Sequence, residues 1–308
     1  MRVIESSLFS PYGTALLTDE KLSRYAFSLC GGPCAGLFRI EDGEMLKTLA
    51  NCCIRSGYPY KVLGGMTNIL VSDDGFDGVV LLNRKGKIEH QTAEDGTVLL
   101  TADSGAGMAA LVRYCAEHEI SGMEWAAGLP GTVGGAVYGN AGAFGMEVSQ
   151  LFRSAAVLDE AGNILKMNAD DMQFVYRSSA LKRNDNAFVL LDVTLSLQKG
   201  RKDLILSKGE EYRAIRREKQ PVDEHSLGSV FKNPEGESAG KLIQAAGLKG
   251  FSIGKASVSM KHANFITTTE GVTGADYHRL IVHVQNTVYE RFGILLEPEI
   301  ELFGFGIK

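Results

Sequence analysis

The chain has 308 residues, which is enough for two compact domains or three small ones; 44% of them are hydrophobic and 22% are charged. These values are those of an ordinary globular protein and exclude a disordered chain, a collagen-like repeat and a disulfide scaffold. Because the net charge is −5 and the pI is about 5.8, no general positive field attracts nucleic acid or an anionic membrane. An anionic ligand must then be held by local groups.

The cysteines and the N-terminus indicate a reducing compartment. The cysteines are odd in number, include an adjacent pair and lack the spacing of a metal site, so we expect reduced thiols and no metal at Cys30, Cys34, Cys52, Cys53 and Cys115. The first residues contain no apolar segment of a signal peptide, and no window approaches the roughly 18 apolar residues of a spanning helix. We therefore expect a cytoplasmic protein.

Residues 1–85 are predicted to form a small α/β lobe. Apolar residues at helical spacing predict a helix over Gly43–Gly57. After it, Tyr60–Leu63 is predicted as a strand, Gly64–Asn68 as a turn and Gly78–Leu82 as a second strand. This succession is typical of a βαβ unit.

Residues 86–200 are predicted to form a second lobe of mixed α and β structure. A glycine-rich stretch interrupts its predicted elements, and a charged run that begins at Lys199 marks the next boundary. The predicted elements are a helix over Met108–His118 and strands over Val98–Thr101, Ala155–Leu158, Ile164–Met167 and Phe188–Leu197.

A third unit is predicted from residue 201 onward. Its pattern predicts helices over Ser238–Ala246 and Gly274–Phe292, after a charged helix over Lys208–Lys219. The chain then ends in a predicted strand, Glu299–Phe303. Even spacing would place three carboxylates of this segment on one face, either in water at a sheet edge or at a site; they are Glu297, Glu299 and Glu301.

Two glycine-containing segments are candidates for binding phosphate groups. In Gly128–Gly142 the glycines let backbone N–H groups approach an anion that side chains would keep away, which suits a pyrophosphate. The stretch lacks the GxGxxG fingerprint and the lysine of a P-loop, which disfavours a nicotinamide Rossmann site or a nucleotide triphosphatase. Gly64–Asn68 is a weaker candidate. Each could be a set of ordinary turns, but two such loops in successive lobes could clamp an extended dinucleotide.

Three polar clusters follow the glycine-rich stretch. Arg177, in Tyr176–Lys182, is suited to bidentate capture of a carboxylate, although a solvated charged turn is the alternative. Gly228–Pro234 presents Ser229 beside hydrogen-bond donors, but a serine hydrolase is disfavoured because the segment lacks a nucleophile elbow. Lys261–Phe265 could donate to a diphosphate or a sugar, or be a surface loop.

The motifs occur in an order that resembles the UDP-N-acetylenolpyruvoylglucosamine reductase family. Several separated motifs in one order are far more specific than any one of them, and the resemblance covers nearly the whole chain. They are Cys30–Pro33, Gly64–Leu70, Gly122–Ala136, Asn140–Gly142, Tyr176–Arg177, Gly228–Pro234, Lys261–Ile266 and Glu297–Glu299.

The resemblance implies an α+β fold, namely a two-lobe FAD-binding fold of the vanillyl-alcohol-oxidase/PCMH type with a third α/β lobe for the substrate. Under this division residues 1–85 and 86–200 form the two FAD-binding lobes and residues 201–296 the substrate-binding domain. Residues 297–308 would form a C-terminal strand that returns to the active site. The chain is similar in length to the short subtype, which lacks an extra substrate-capping insertion.

The same resemblance implies the reaction. NADPH, as hydride-donating co-substrate, would reduce the cofactor FAD, and the enolpyruvyl double bond of UDP-N-acetylenolpyruvoylglucosamine would then be reduced, which gives UDP-N-acetylmuramate for peptidoglycan precursor synthesis. The expected partner is thus a UDP-sugar, with neither nucleic acid nor membrane, and the expected state is a monomer or weak dimer.

The resemblance also assigns roles to single residues. Arg177 would stabilise charge beside the substrate carboxylate, Ser229 would donate a proton, and Glu299, with Glu297 as the alternative, would hydrogen-bond that carboxylate if burial keeps it near neutral. The expected cofactor-binding residues are Gly64, Gly65, Met66, Thr67, Asn68, Gly128, Pro130, Gly131, Thr132, Gly135, Ala136, Asn140 and Gly142. The expected substrate-binding residues are Tyr176, Lys232, Asn233, Lys261, His262 and Asn264.

Two other functions remain open on the sequence alone. One is an oxidase or dehydrogenase of the same two-lobe FAD fold that acts on an unrelated alcohol or hydroxy acid, in which Arg177 and Ser229 would be incidental. The other is a flavin-binding or UDP-sugar-binding protein without turnover.

Overall fold

The computed structural model describes residues 2–184 and 187–305. Within it the chain forms two compact units, each assembled from separate segments. The first unit contains Met1–Thr18, Ala35–Gly65 and Asp77–Ala214, and the second contains Asp19–Cys34, Met66–Phe76 and Ile215–Lys308. The finer division of residues 1–200 into two cofactor-binding lobes stays a prediction.

Helices are interspersed with runs of consecutive strands along the chain. The helices are α1 Gly43–Ser56, α2 Met108–Glu117, α3 Val133–Tyr138, α4 Ala169–Met172, α5 Ala180–Arg183, α6 Lys202–Lys219, α7 Ala239–Ala245 and α8 Gly274–Phe292. The strands are β1 Glu20–Lys21, β2 Pro33–Ile40, β3 Tyr60–Leu63, β4 Ile69–Val71, β5 Phe76–Asn83, β6 Ile88–Thr92, β7 Val98–Asp103, β8 Ile120–Ser121, β9 Gly142–Ala143, β10 Met146–Glu147, β11 Phe152–Asp159, β12 Ile164–Asn168, β13 Phe188–Lys199, β14 His225–Ser229, β15 Ser252–Ile253, β16 Ala256–Val258, β17 Phe265–Thr268 and β18 Glu301–Phe303.

The first unit begins with the predicted α/β arrangement. Strand β3 pairs in parallel with β5, from Tyr60 opposite Val79 to Leu63 opposite Leu82, and β5 neighbours β2. Helix α1 starts where Asp42 accepts a hydrogen bond from the backbone N–H of Met45, as N-cap residues do. Its apolar face is buried, as its spacing predicted, through Met45, Leu46, Leu49, Ala50 and Cys53.

A larger antiparallel sheet completes the first unit. Its strand order is β12-β11-β13-β7-β6, and β8 pairs with the end of β13. Alternate residues of β13 are buried, which is the pattern of a strand with one face on a core. Helices α2 and α3 supply apolar residues to the same core, among them Leu111, Cys115 and Val137.

The second unit is built on a four-stranded sheet of order β14-β17-β16-β15, with all neighbours antiparallel. Helices α7 and α8 pack in one core with this sheet, and Tyr277 of α8 is fully buried there. The predicted apolar stripe of α8 is confirmed except at Phe292, which is exposed; the buried members are Tyr277, Leu280, Ile281, Val284 and Val288.

The segment Met66–Phe76 ties several parts of the second unit together. Strand β4 pairs in parallel with β18, and the carboxylate of Asp73 accepts hydrogen bonds from Gly274 N and Ala275 N at 2.8 and 2.9 Å. A carboxylate at this position stabilises both the unpaired N–H groups and the positive end of the dipole of α8.

Two expectations from the sequence need correction. The glycine-rich stretch is not merely a set of ordinary turns, because α3 forms in its middle, capped by Thr132, which accepts from Gly135 N at 3.3 Å. Strand β18 begins only at Glu301, because the chain changes partner before it: Pro298 bridges Phe231, whereas Glu301 pairs with β4. The three C-terminal carboxylates therefore do not lie on one face of one strand.

The described cysteines form no disulfide bond, and all but Cys52 are buried. Burial raises the pKa of Cys30, Cys53 and Cys115 to about 12. Among the helices that the structure describes, none is long and apolar enough to cross a membrane.

Candidate active site

The two glycine segments singled out in the sequence meet in the first unit. A Cβ atom at Gly64 would lie 2.4 Å from Thr132 Oγ1, and one at Gly65 would lie 2.7 Å from Gly131 Cα. These distances are shorter than real Cβ contacts, so only glycine allows the two backbones to approach this closely. Close approach of glycine backbone to Gly131 and Thr132 leaves room for an anion beside N–H groups, which fits the pyrophosphate of an extended dinucleotide such as FAD.

Arg84 follows the end of β5 and contacts the glycine pair Gly64–Gly65. No sequence motif indicated this residue. Its Nε donates to the carbonyl oxygen of Gly64 at 3.0 Å, and its Nη2 donates to that of Gly65 at 3.2 Å. Nothing in the sequence around Arg84 indicates this contact, because its partners lie about 20 residues earlier in the chain.

The glycine-rich stretch is anchored through its small residues. A Cβ atom at Gly134 would lie 2.9 Å from both Cβ and O of Ser104, so α3 packs directly on the turn that contains Ser104, just after β7. Asn140 is fully buried, and its Oδ1 accepts from Ser149 N at 3.0 Å. Its Nδ2 donates to the carbonyl oxygen of Val175 at 3.1 Å, so the side chain of this expected cofactor residue joins the stretch to the turn that carries Arg177.

Arg177 lies in a tight turn of the first unit. Val175 and Ser178 form an isolated bridge around it, and Arg177 itself has a left-handed backbone, with φ of 57°. One guanidinium N–H donates to the carbonyl oxygen of Gly142 at 3.0 Å, and the guanidinium lies 5.0 Å from the ring centre of Tyr176. These contacts fix the direction of a half-buried cation beside the end of the glycine-rich stretch.

The other expected cofactor residues of the first motif, Met66, Thr67 and Asn68, belong to the second unit. Asn68 Nδ2 donates to the carbonyl oxygen of Glu299 at 3.3 Å, and Glu301 N donates to the carbonyl oxygen of Asn68 at 2.9 Å. Asn68 therefore holds the C-terminal segment in place.

Ser229 lies at the end of β14, next to an irregularity in the pairing with β17. The register shifts between Ser226 and Ser229, and Gly228 has a φ of 75°, a left-handed conformation that suits glycine. Ser229 itself is half-buried.

Asn264 fixes the residues that follow Ser229. Its backbone oxygen accepts from Val230 N, its Oδ1 accepts from Phe231 N at 3.0 Å, and its Nδ2 donates to Phe231 O at 2.8 Å. Both ends of this buried side-chain amide thus serve the backbone beside Ser229, a task different from the substrate contact expected from the sequence.

The C-terminal segment lies along the same backbone. Glu299 N donates to the carbonyl oxygen of Val230 at 2.8 Å, and Lys232 N donates to that of Glu297 at 2.9 Å. The carboxylate of Glu297, 69% exposed, pairs with the ammonium of Lys232, whereas Glu299 is half-buried. The two carboxylates therefore differ in exposure.

The remaining expected substrate residues make contacts of their own in the second unit. Asn233 Oδ1 accepts from Ala239 N at 3.1 Å, and Lys261 donates to the backbone carbonyl of Arg217. His262 Nδ1 accepts from Asn264 N at 3.2 Å. Burial, and to a lesser degree the nearby charge of Lys249, lowers the pKa of His262, so this ring is neutral at neutral pH.

The structure thus brings the expected residues together in two groups. In the first unit the two glycine motifs meet, and Arg177 joins the end of the second. In the second unit Ser229, Asn264 and Glu299 belong to segments linked by hydrogen bonds.

Comparisons with known proteins agree with these two groups. The model of an FAD binding domain matches residues 34–168, and the model of the C-terminal domain of UDP-N-acetylenolpyruvoylglucosamine reductase matches residues 220–303. The UDP-N-acetylenolpyruvoylglucosamine reductase of Caldicellulosiruptor saccharolyticus is 41% identical to this chain, over 94% of this chain and 92% of that protein. The chain belongs to the UDP-N-acetylenolpyruvoylglucosamine reductase family. The reductase of Listeria innocua is 37% identical over 94% of this chain and 95% of that protein.

A solved structure gives the same result for the fold. The crystal structure of UDP-N-acetylenolpyruvylglucosamine reductase (MurB) from Thermus caldophilus matches with a TM-score of 0.74 and 31% identity, over 94% of this chain and 98% of that chain. The expected α+β fold, a two-lobe FAD-binding fold with a substrate-binding part, is thereby confirmed.

Family membership also confirms the expected activity. The chain is an FAD-dependent reductase of peptidoglycan precursor synthesis, with NADPH as its reductant and a UDP-sugar as its substrate. The two alternatives left open by the sequence, an oxidase of unrelated alcohols and a binding protein without turnover, find no support in these relatives.

Proposed function

We propose that Arg177, Ser229 and Glu299 carry the reduction of UDP-N-acetylenolpyruvoylglucosamine to UDP-N-acetylmuramate in this chain. FAD, when bound, supplies the redox chemistry that links NADPH to the enolpyruvyl double bond. The observation that carries the proposal is the hydrogen bond from Glu299 N to the carbonyl oxygen of Val230, which lies next to Ser229. A candidate proton donor and a candidate carboxyl partner are thereby held on adjacent backbone.

Arg177 stabilises the negative charge that develops beside the substrate carboxylate. A guanidinium is a planar group with five N–H donors that suits a carboxylate, and the bond from Arg177 to the carbonyl oxygen of Gly142 fixes its direction. Donors that are oriented before the reaction stabilise developing charge without the cost of reorganisation.

Ser229 gives a proton to the carbon next to that carboxylate. A hydroxyl is a weak acid, so this transfer is effective only toward a strongly basic carbon and from a fixed position. The backbone bonds from Asn264 to Val230 and Phe231 provide that fixed position, and we assign Asn264 to it instead of to substrate contact.

Glu299 hydrogen-bonds the substrate carboxylate in its protonated form. A charged carboxylate would repel that group, so this role requires the neutral form of Glu299. The exposed ion pair of Glu297 with Lys232 leaves Glu297 the weaker candidate.

The cofactor and the substrate would be held by the groups that the sequence indicated. We assign FAD to the glycine junction of Gly64, Gly65, Gly131 and Thr132, together with the other motif residues named above. We assign the UDP-sugar to Tyr176, Lys232, Asn233, Lys261 and His262, as donors to its diphosphate and sugar groups. These local donors suit an anionic substrate in a chain whose net charge is −5.

We further propose that the enzyme acts in the cytoplasm as a monomer or weak dimer, without nucleic acid or membrane partners. Its unpaired cysteines support a reducing compartment, and its acidic composition gives no attraction to polyanions.

The proposal is tested by separating the two half-reactions of Ser229→Ala. In anaerobic stopped-flow experiments, flavin absorbance should fall with NADPH at the wild-type rate, because Ser229 takes no part in that step. Its recovery on addition of the enolpyruvyl sugar nucleotide should slow by about a hundredfold or more, as expected for loss of a general acid. Equal loss of both half-reactions would refute the assigned role.

A matched control is Ser226→Ala, the same substitution in the same strand. Ser226 is buried, pairs with Thr267 and lies three residues before Ser229 in β14. Both half-reactions of this variant should stay close to wild type; a slow second half-reaction here would mean that any disturbance of β14 has the same effect.

A further inference from the structure

The exposed residue Arg84 directs two consecutive peptide groups of the glycine pair. Its Nε and Nη2 donate to the carbonyl oxygens of Gly64 and Gly65, at 3.0 and 3.2 Å, so one guanidinium draws both carbonyls to the same side. An arginine is suited to this because its donors lie in a rigid plane, whereas a lysine offers a single ammonium on a flexible stem.

The direction of the carbonyls determines the direction of two N–H groups. In a trans peptide the C=O and the following N–H point in opposite directions, and the cis peptide that the described residues contain lies elsewhere, at Ser10–Pro11. The N–H groups of Gly65 and Met66 therefore point away from Arg84. Met66 has a φ of 52°, and consecutive N–H groups around a left-handed residue form a concave anion site.

These two N–H groups have no acceptor among the hydrogen bonds of the described residues. Backbone N–H groups without a partner cost free energy unless water or a ligand takes them up. They lie in the segment whose close contact with Gly131 and Thr132 requires glycine.

We propose that Arg84 is a positioning residue for the pyrophosphate of FAD, and that it acts by turning the N–H groups of Gly65 and Met66 toward the phosphate oxygens. The inference rests on the proposed cofactor role of the two glycine segments. Arg84 lies on the carbonyl side of these peptides, so its effect comes from geometry and not from direct pairing with the phosphates.

The test measures the release of FAD when the holoenzyme is diluted. The recovery of flavin fluorescence reports this release. Arg84→Met and Arg84→Lys should both raise the Kd for FAD about tenfold, because both lose the paired donation to two carbonyls. An Arg84→Met protein that holds FAD as tightly as wild type would overturn the proposal. So would an Arg84→Lys protein that holds FAD like wild type, because charge alone would then be sufficient.

Lys85→Met is the matched control for charge. It removes one positive charge at the next residue, whose ammonium pairs with Glu41 and not with the glycine carbonyls. Its Kd for FAD should stay within about twofold of wild type. A tenfold loss in this variant would show that net charge explains the result, and would overturn the proposal.

Gly65→Ala separates this inference from the function proposed above. Its Cβ would lie 2.7 Å from Gly131 Cα, so it disturbs the glycine junction itself. If Gly65→Ala loses FAD and Arg84→Met does not, only the role of Arg84 fails. If both variants bind FAD like wild type, the assignment of FAD to this junction fails as well.

Discussion

The side-chain amide of Asn264 donates to the backbone carbonyl oxygen of Phe231 at 2.8 Å and accepts from its backbone N–H at 3.0 Å. Both residues are buried. The side chain of Asn264 therefore satisfies the backbone N–H and C=O of Phe231, as a neighbouring strand does elsewhere in a sheet. This relationship bridges 33 residues of sequence and holds the backbone two residues after Ser229.

Asn264→Leu should therefore destabilise the protein and slow the step assigned to Ser229. The variant leaves a buried N–H and a buried C=O without partners, and each such group costs about 1 to 3 kcal/mol. We expect a loss of about 2 kcal/mol or more in the free energy of unfolding, measured with urea. In the fraction that stays folded, flavin reduction by NADPH should be retained while reoxidation by the enolpyruvyl substrate slows.

Asn233→Leu serves as the stability control for that variant. Asn233 is exposed and accepts one hydrogen bond, from Ala239 N, so its loss should cost about 1 kcal/mol or less. Equal losses of stability in the two variants would contradict the special role of the contact between Asn264 and Phe231.

Replacing Glu299 should slow the enzyme much more than replacing Glu297. Glu299→Ala removes the proposed hydrogen bond to the substrate carboxylate. It should lower the rate constant of the second half-reaction about a hundredfold. Glu299→Gln retains an N–H donor and should recover part of that loss. Glu297→Gln only weakens an exposed ion pair with Lys232 and should leave kcat within a few-fold of wild type, about 1 kcal/mol at most.

Steady-state and half-reaction kinetics on the three proteins decide between the carboxylates. The assignment of Glu299 fails if Glu297→Gln is the slower enzyme, or if Glu299→Ala and wild type reoxidise at the same rate.

The cap of α8 by Asp73 gives a prediction that concerns stability alone. Asp73→Ala removes two charge-assisted hydrogen bonds, to Gly274 N and Ala275 N, at the positive end of a 19-residue helix. We expect the free energy of unfolding to fall by about 1 to 2 kcal/mol, measured by chemical denaturation.

Asp74→Ala provides the comparison, because it removes the same charge from the adjacent, exposed residue. Its effect should stay within about 0.5 kcal/mol. If the two aspartates contribute equally, net charge and not helix capping explains the loss.

The sequence predicted helices α1 and α8 well because their signals are local. Each has an apolar stripe at helical spacing, a capping residue at its start, and a glycine in the left-handed conformation after its end, Gly57 and Gly293. Strand β2 was not predicted, since five consecutive buried positions show no alternation. Helix α3 was not predicted because two of its residues, Gly134 and Gly135, are glycines, which disfavour helices. The structure explains Gly134 by its close contact with Ser104.

The residues of the candidate site likewise differ in whether the local sequence indicates them. Glycine motifs, Arg177 and Ser229 could be found because each belongs to a recognisable local pattern. Arg84 and the bridging role of Asn264 could not, because each depends on a partner distant in sequence. Neither residue type is unusual at its position until the backbone carbonyls and N–H groups around it are known.

His262 makes stability depend on pH in a defined window. Burial first, and the charge of Lys249 second, lower its pKa in the folded state below the ordinary value of 6.5. The unfolded chain therefore takes up a proton at His262 before the folded chain does, so this residue makes no difference above about pH 6.5 and opposes folding progressively as the pH falls below it. Urea unfolding midpoints of the wild type should decrease across this range, and those of His262→Gln should decrease less steeply, whatever their absolute values.

Other titrating groups act in a different pH range. Hydrogen bonds lower the pKa of aspartates such as Asp95 and Asp159, and these groups affect stability only at more acidic pH, below their ordinary pKa of 3.8. A variant with the same slope as the wild type would show that His262 is not the group responsible.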